Sequence, residues 1–224
     1  MARNLFRSLS YGLAAVACLA TFNTAAQAGP PLICHPYEIG DAKSLPWGGR
    51  AWRDVKKEYD LNRLPDDTLA LLGPETPVIV RMETLRRATV YAVWSVYDRE
   101  VDYKVHDLRV ANDLLARLER RAAEARGKGK LEALALFDMG FLAECYRQSV
   151  HESKAGALTR GIDGYGAVAK AINLGGGDPE MEFAAALITI WPKRETHARH
   201  RQKAIAGAEA DGLLARNLPE RFEK

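Results

Sequence analysis

From Leu131 to Ser149 the chain is apolar on almost every side of a helical projection. Leu134, Ala135, Phe137, Met139, Phe141, Leu142, Cys145 and Tyr146 run right round it, and few charges interrupt them, notably Glu132, Asp138, Glu144 and Arg147. A helix with so narrow a polar arc needs neighbours on several sides, which places it at the centre of a helical domain. Gly140 lies inside this stretch. An interior glycine costs about 1 kcal/mol against alanine in an exposed helix, and a close helix crossing would justify it.

The other segments repeat the same period. Thr76-Pro77 reads as an N-cap with a first-turn proline. Val78, Met82, Leu85, Ala88 and Ala92 then mark one face of a helix reaching about Val96. Leu108, Ala111, Leu115, Leu118 and Ala122 mark a second over about 105–126, with a charged far face and Gly127 at its end. A shorter helix over Gly164–Leu174 stops at Gly175-Gly176-Gly177. Asp178-Pro179-Glu180 opens another, which carries Met181, Phe183, Leu187, Ile188 and Trp191 and ends at Pro192. A last, Ala-rich helix is predicted over about 195–216, followed by a tail over 217–224. Sustained period-two alternation is absent, so the expected fold class is all-α.

The first 75 residues divide in two. Residues 1–28 have Arg3 and Arg7, an apolar run from about Tyr11 to Phe22, and Ala26-Gln27-Ala28, the layout of an export leader cleaved after Ala28. The mature chain is therefore expected to be periplasmic or extracellular. Cleavage removes two arginines and no acid, lowering the formal charge from +3 to +1, so the basic balance does not point to nucleic acid. Ala15-Val16-Ala17-Cys18 resembles a lipobox but lacks the leucine three residues before the cysteine, so unlipidated export is the expectation. Residues 29–75 read as an irregular N-terminal segment, rich in proline, glycine and aromatic residues, with short helices over about 51–60 and 66–72. Cys34 and Cys145 remain after cleavage. An oxidising compartment permits a disulfide between them; the alternative is two separate thiols, Cys145 being a small core residue.

Lys170-Ala171-Ile172-Asn173-Leu174, Gly175-Gly176-Gly177 and Asp178-Pro179-Glu180 resemble the junction between tetratricopeptide repeats. Phe183, Ala185 and Ala186 fall near the large and small packing positions of that family. The resemblance covers roughly 130–215. It implies stacked antiparallel helix pairs over 76–216, forming an α-α superhelix whose concave face takes a protein or peptide. Pairs beginning near 77, 131 and 179 are further apart than the roughly 34 residues of that family. The stretch from Cys34 to Trp47 is also similar to the start of certain uncharacterised exported bacterial proteins, which supports the localisation.

Chemical motifs are sparse. Cys34-His35 lacks the first cysteine of a haem attachment motif. His197 and His200 share a helix face, but zinc wants further ligands and the neighbours Lys193, Arg194, Arg199, Arg201 and Lys203 would repel a cation. Gly164-Tyr165-Gly166-Ala167-Val168-Ala169 matches a dinucleotide fingerprint without the strand that must deliver it. No metal or cofactor is expected. The N-terminal residues His35, Tyr37, Glu38, Asp41, Lys43 and Trp47 form one candidate contact surface, aromatic groups beside prolines being good partner contacts. Lys193, Arg194, Arg199 and Arg201 form a second, basic one, suited to an acidic protein or to peripheral contact with an anionic membrane surface.

The expected function is a non-enzymatic binding or scaffold module of the cell envelope. The competing reading is a small exported enzyme, such as a hydrolase, working through His35, Glu38 and Asp41, since paired carboxylates can do acid-base chemistry. N-terminal sequencing of the exported protein is expected to begin at Gly29; an intact Met1 on exported material would refute the leader.

Overall fold

The computed structural model describes residues 29–94, 108–149, 152–191 and 194–222. The leader over 1–28 with Cys18, the helix start near 105, Pro192 and Lys193 lie outside them. Among the described residues every regular element is helical. These are α1 (Leu64–Leu71), α2 (Val78–Thr89), α3 (Arg109–Glu124), α4 (Lys130–Ser149), α5 (Glu152–Thr159), α6 (Gly164–Leu174), α7 (Pro179–Ile188), α8 (Arg194–Ala206) and α9 (Leu213–Phe222). A 3-10 turn, Leu61–Arg63, leads into α1, and a π turn, Val90–Trp94, extends α2. Among the described residues no helix is long and apolar enough to cross a membrane.

As its composition requires, α4 is the hub: α2, α3, α5, α6 and α7 all pack on it. Its closest neighbour is α6. A Cβ on Gly140 would fall 2.6 Å from the Gly164 carbonyl oxygen and 2.9 Å from the Ala167 Cβ, so the two backbones meet where neither side can carry a side chain. The glycine inside α4 is thus explained by the crossing. α7 and α8 form the second extensive contact, joined to α6 by the glycine turn. α3 packs chiefly on α4 and α1.

Helix starts are satisfied in two ways. Asp178 accepts hydrogen bonds from the Glu180 and Met181 N–H groups and Asp163 from that of Gly166, both local caps. The start of α2, and a second N–H at the start of α6, use carboxylates from a distant helix. Glu180 of α7 accepts from the Ile79 N–H at 3.0 Å, and Glu144 of α4 accepts from the Tyr165 N–H at 3.1 Å. Thr76 does not cap α2; its hydroxyl donates instead to the Leu71 carbonyl. The remote carboxylate answers an N–H that would otherwise be left without a partner.

Residues 29–60 do not form the short helix expected over 51–60; they lie as turns and extended chain across α2. The cause is that α2 supplies the hydrogen bonds this segment needs. Glu83 and Arg86, both fully buried, pair through Nε at 2.7 Å and Nη2 at 2.8 Å. Glu83 also accepts from the Tyr37 N–H and from Arg87 Nε. Arg86 Nη1 donates to the carbonyls of Ile33 and Trp52, and Arg87 Nη1 to that of Leu45. The Tyr91 hydroxyl donates to the Pro46 carbonyl and accepts from the Lys56 N–H. Below them Leu32, Ile33, Tyr37 and Leu45 enter the core, Tyr37 edge-on to Phe141 and Phe183.

The last helix is also corrected. α8 stops at Ala206 and the chain turns before starting α9; a side chain at Gly207 would lie 2.6 Å from the Pro179 Cβ, so the close approach there requires glycine. Residues 217–222, read as the start of a tail, belong to α9. Asn217 there is buried and clamps Glu38: its side chain accepts from the Glu38 N–H and donates to the Glu38 carbonyl, each at 2.9 Å.

Burial alone would raise the Glu83 carboxyl, but the hydrogen bonds and charges of Arg86 and Arg87 outweigh it and hold the group below its ordinary value. A depressed carboxylate stabilises the fold above its unfolded-state pKa, and the contribution is lost as pH falls below about 4.5. Glu83→Gln should therefore destabilise the protein by about 3–5 kcal/mol at neutral pH, the cost of leaving a buried arginine unpaired. Its urea-derived stability should also fall less steeply than wild type between pH 5 and pH 3; parallel curves would show that Glu83 does not carry the acid limb.

Candidate functional site

The two candidate surfaces meet opposite fates. In the N-terminal segment, Tyr37 is buried in the core and is not available to a partner. Trp47 is half-buried, with Arg86 and Arg87 over its ring at 5.0 and 5.5 Å, Tyr91 edge-on at 5.8 Å, and its Nε1–H donated to the Ala51 carbonyl. His35 is half-buried. Glu38 and Asp41 are exposed, and the Glu38 carboxylate accepts from the Gly40 N–H two residues on. Lys43 lines an open groove of about 440 Å³ with Leu71, Pro74, Thr76 and Val80, which includes none of His35, Glu38 or Asp41. No disulfide joins Cys34 to Cys145. Cys145 lies in the core, where burial pushes its thiol well up, away from the reactive thiolate.

The glycine pattern of α6 is closed to phosphate. Asp163 occupies the Gly166 N–H and Glu144 the Tyr165 N–H, so two carboxylates sit where a pyrophosphate would need to be.

The basic surface stays open. Arg194 and Arg199 are exposed on α8, together with Glu195, Ala198, Gln202 and Lys203, and Arg201 is half-buried. Just before α8, in the turn that follows α7, Trp191 is 60% exposed, more than any other large apolar side chain among the described residues. Trp191 was read from the sequence only as a helix-face residue; its place beside Pro192, at the end of the apolar period, is the signal that marks it as outward.

Beneath this surface lies a polar anchor. His200 is buried, its Nδ1 hydrogen-bonded to Glu182 of α7 and its Nε2 3.0 Å from the Tyr165 hydroxyl of α6. The Nδ1–H donates to the Glu182 carboxylate, and Nε2 lies within hydrogen-bond distance of the tyrosine hydroxyl. The other Glu182 oxygen accepts from Lys203 Nζ at 2.8 Å. His197 Nδ1 donates to the Ala186 carbonyl at 2.8 Å. Both histidines are thus turned against α7 rather than towards a shared ion. Among the described residues no three His, Cys, Asp or Glu side chains gather as a metal ligand set. Glu182, which organises this network, carries a faint sequence signal: it is an acid placed between Met181 and Phe183.

Comparison with protein families, with curated proteins and with solved structures finds none that this chain matches.

The anchor gives unequal expectations for its members. Tyr165→Phe removes one hydrogen bond at the edge and should cost about 1 kcal/mol. Glu182→Ala leaves both His200 and Lys203 without their acceptor and should cost about 3 kcal/mol or more. Chemical denaturation of the two variants checks the order; equal losses would mean that the carboxylate does not hold the network together.

Proposed function

We propose that this protein is an exported, non-enzymatic binding module that takes an acidic protein partner on the edge formed by Trp191 and the outer face of α8. The observation that carries the reading is the exposed Trp191 with Arg194 and Arg199 following it along the chain. Tryptophan and arginine are the side chains that most often dominate binding energy at protein interfaces. Arginines at a rim also favour acidic partners and speed their encounter. Arg194 and Arg199 have no carboxylate partner among the described residues, so their charge is available.

Two further points support this reading. The network of Tyr165, Glu182 and His200 holds α8 from within, so its outer face is ordered before a partner arrives and little further freedom is lost on binding. The α4–α6 and α7–α8 contacts also suit two units of a short tetratricopeptide-like stack, a form of fold that presents helix faces to peptides. The geometry gives the competing reading less support: His35, Glu38 and Asp41 line neither of the two cavities described, and the Glu38 carboxylate accepts from the Gly40 N–H.

The test is affinity capture from the cell envelope with the mature protein and with a Trp191→Ala, Arg199→Glu variant. A partner retained by the first and lost by the second, at unchanged melting temperature, is the expected result. Equal retention would move the contact elsewhere. Salt-sensitive pelleting of the wild type with anionic vesicles, absent in the variant, would replace the protein partner with a membrane surface.

A further inference from the structure

A cavity of about 230 Å³ lies between the end of α3 and the first turns of α4. Its lining combines two kinds of chemistry. Arg121 and Lys128 supply cationic groups, Leu131, Leu134 and Ala135 apolar ones, and Pro74, Glu124 and Ala125 line it with them. Arg81 forms the floor, but it is fully buried and its guanidinium is already committed. It donates to Asp138 at 2.7 Å, to the Thr76 carbonyl at 3.0 Å and to the Gly73 carbonyl. The floor is therefore close to neutral, and Arg121 and Lys128 set the sign of the field, opposed by Glu124 alone among the lining side chains.

Neither cation is spent. Arg121 has one hydrogen bond, from Nη2 to the Leu72 carbonyl, which leaves most of its five donors unused. Lys128 is exposed, and its ammonium has no acceptor among the described residues. Half-buried arginine beside an apolar wall is the arrangement that recognises a carboxylate through paired hydrogen bonds while its chain leaves water. The volume falls below the range of drug-sized sites, which limits the occupant to a few heavy atoms.

We propose that this cavity binds a small organic carboxylate with a short apolar body, its charge on Arg121 and Lys128 and its chain against Leu131, Leu134 and Ala135. The site is distinct from the Trp191 edge and does not depend on it. A linked effect follows from Asp138 behind the floor. Burial pushes its carboxyl up to about 6, against the pull of Arg81 and, more weakly, of Arg121. An anion on Arg121 weakens that pull, so the carboxyl rises further and binding near pH 6 takes up protons.

The experiment is calorimetric titration of the whole mature chain with sodium butyrate, with n-butylammonium chloride and inorganic phosphate as comparators, in two buffers of different ionisation enthalpy. Butyrate should saturate one site with net proton uptake at pH 6, and butylammonium should not bind. Phosphate should bind more weakly for want of a chain. Lys128→Met, at an exposed position that leaves the fold intact, should weaken butyrate by roughly fivefold. Ala135→Leu should fill the cavity and abolish binding. The proposal is overturned if butyrate does not saturate, if butylammonium or phosphate binds as tightly, or if Lys128→Met keeps full affinity.

Discussion

The buried pair of Glu83 and Arg86 is the interaction on which the rest of the structure depends. Two opposite charges three residues apart on one helix would, in water, make a weak surface bridge. Here both are fully enclosed, and the cost of taking them out of water is offset because most of their donors and acceptors find partners. Those partners include backbone groups of the N-terminal segment: the N–H of Tyr37 and the carbonyls of Ile33 and Trp52, with Leu45 reached by Arg87. The pair and the segment are mutually obligatory. Without the segment, the charges on α2 would lose the backbone groups that pair with them; without the charges, the backbone groups of Ile33, Tyr37, Leu45 and Trp52 would lose these partners.

The same logic recurs between helices. Glu180, Glu144 and Glu182 each lie on one helix and satisfy a group on another: the start of α2, the start of α6, and the imidazole and ammonium of α8. Apolar packing brings these helices together without specifying their rotation or height. A carboxylate that must meet one N–H within about 3 Å does specify them. The contact of Gly140 with Gly164 makes the arrangement closer still, since the backbone approach that excludes side chains also brings Glu144 onto the first N–H groups of α6.

This explains which features could be read from the sequence. The central position of α4 was legible because its residues are apolar on nearly every side, and the need for a crossing at Gly140 followed from the cost of that glycine. The starts of α6 and α7 were legible because Asp163 and Asp178 cap locally. What could not be read is every pairing over a long separation. Glu83 and Arg86 fall away from the apolar stripe of α2 and so look like its polar face, because periodicity records that a residue is charged and says nothing of what covers it. The supposed helix over 51–60 failed for the same reason: local propensity was overridden by hydrogen bonds to Tyr91 and Arg86, 30 to 40 positions further on. His197 and His200 looked like a shared face, whereas Glu182 and the Ala186 carbonyl turn each ring against α7. The close approach of Gly207 to Pro179 is likewise a long-range contact that no local pattern reveals.

These long-range pairings also decide where a partner can bind. The N-terminal segment has the composition of a contact surface, with Tyr37, Trp47 and Trp52 beside prolines, yet its aromatic groups are used internally. Tyr37 fills the space beside Phe141 and Phe183, Trp47 lies under two arginines, and Trp52 stands edge-on to Trp94 at 5.7 Å. Offering any of them to a partner would first require opening the buried ion cluster, so their affinity for anything outside is reduced by the free energy of that opening. Trp191 carries no such penalty. It stands in the turn that follows α7, ahead of a helix fixed by Glu182 and His200, and is already 60% exposed. Exposure alone would not favour one aromatic residue over another; the difference in what each must release does.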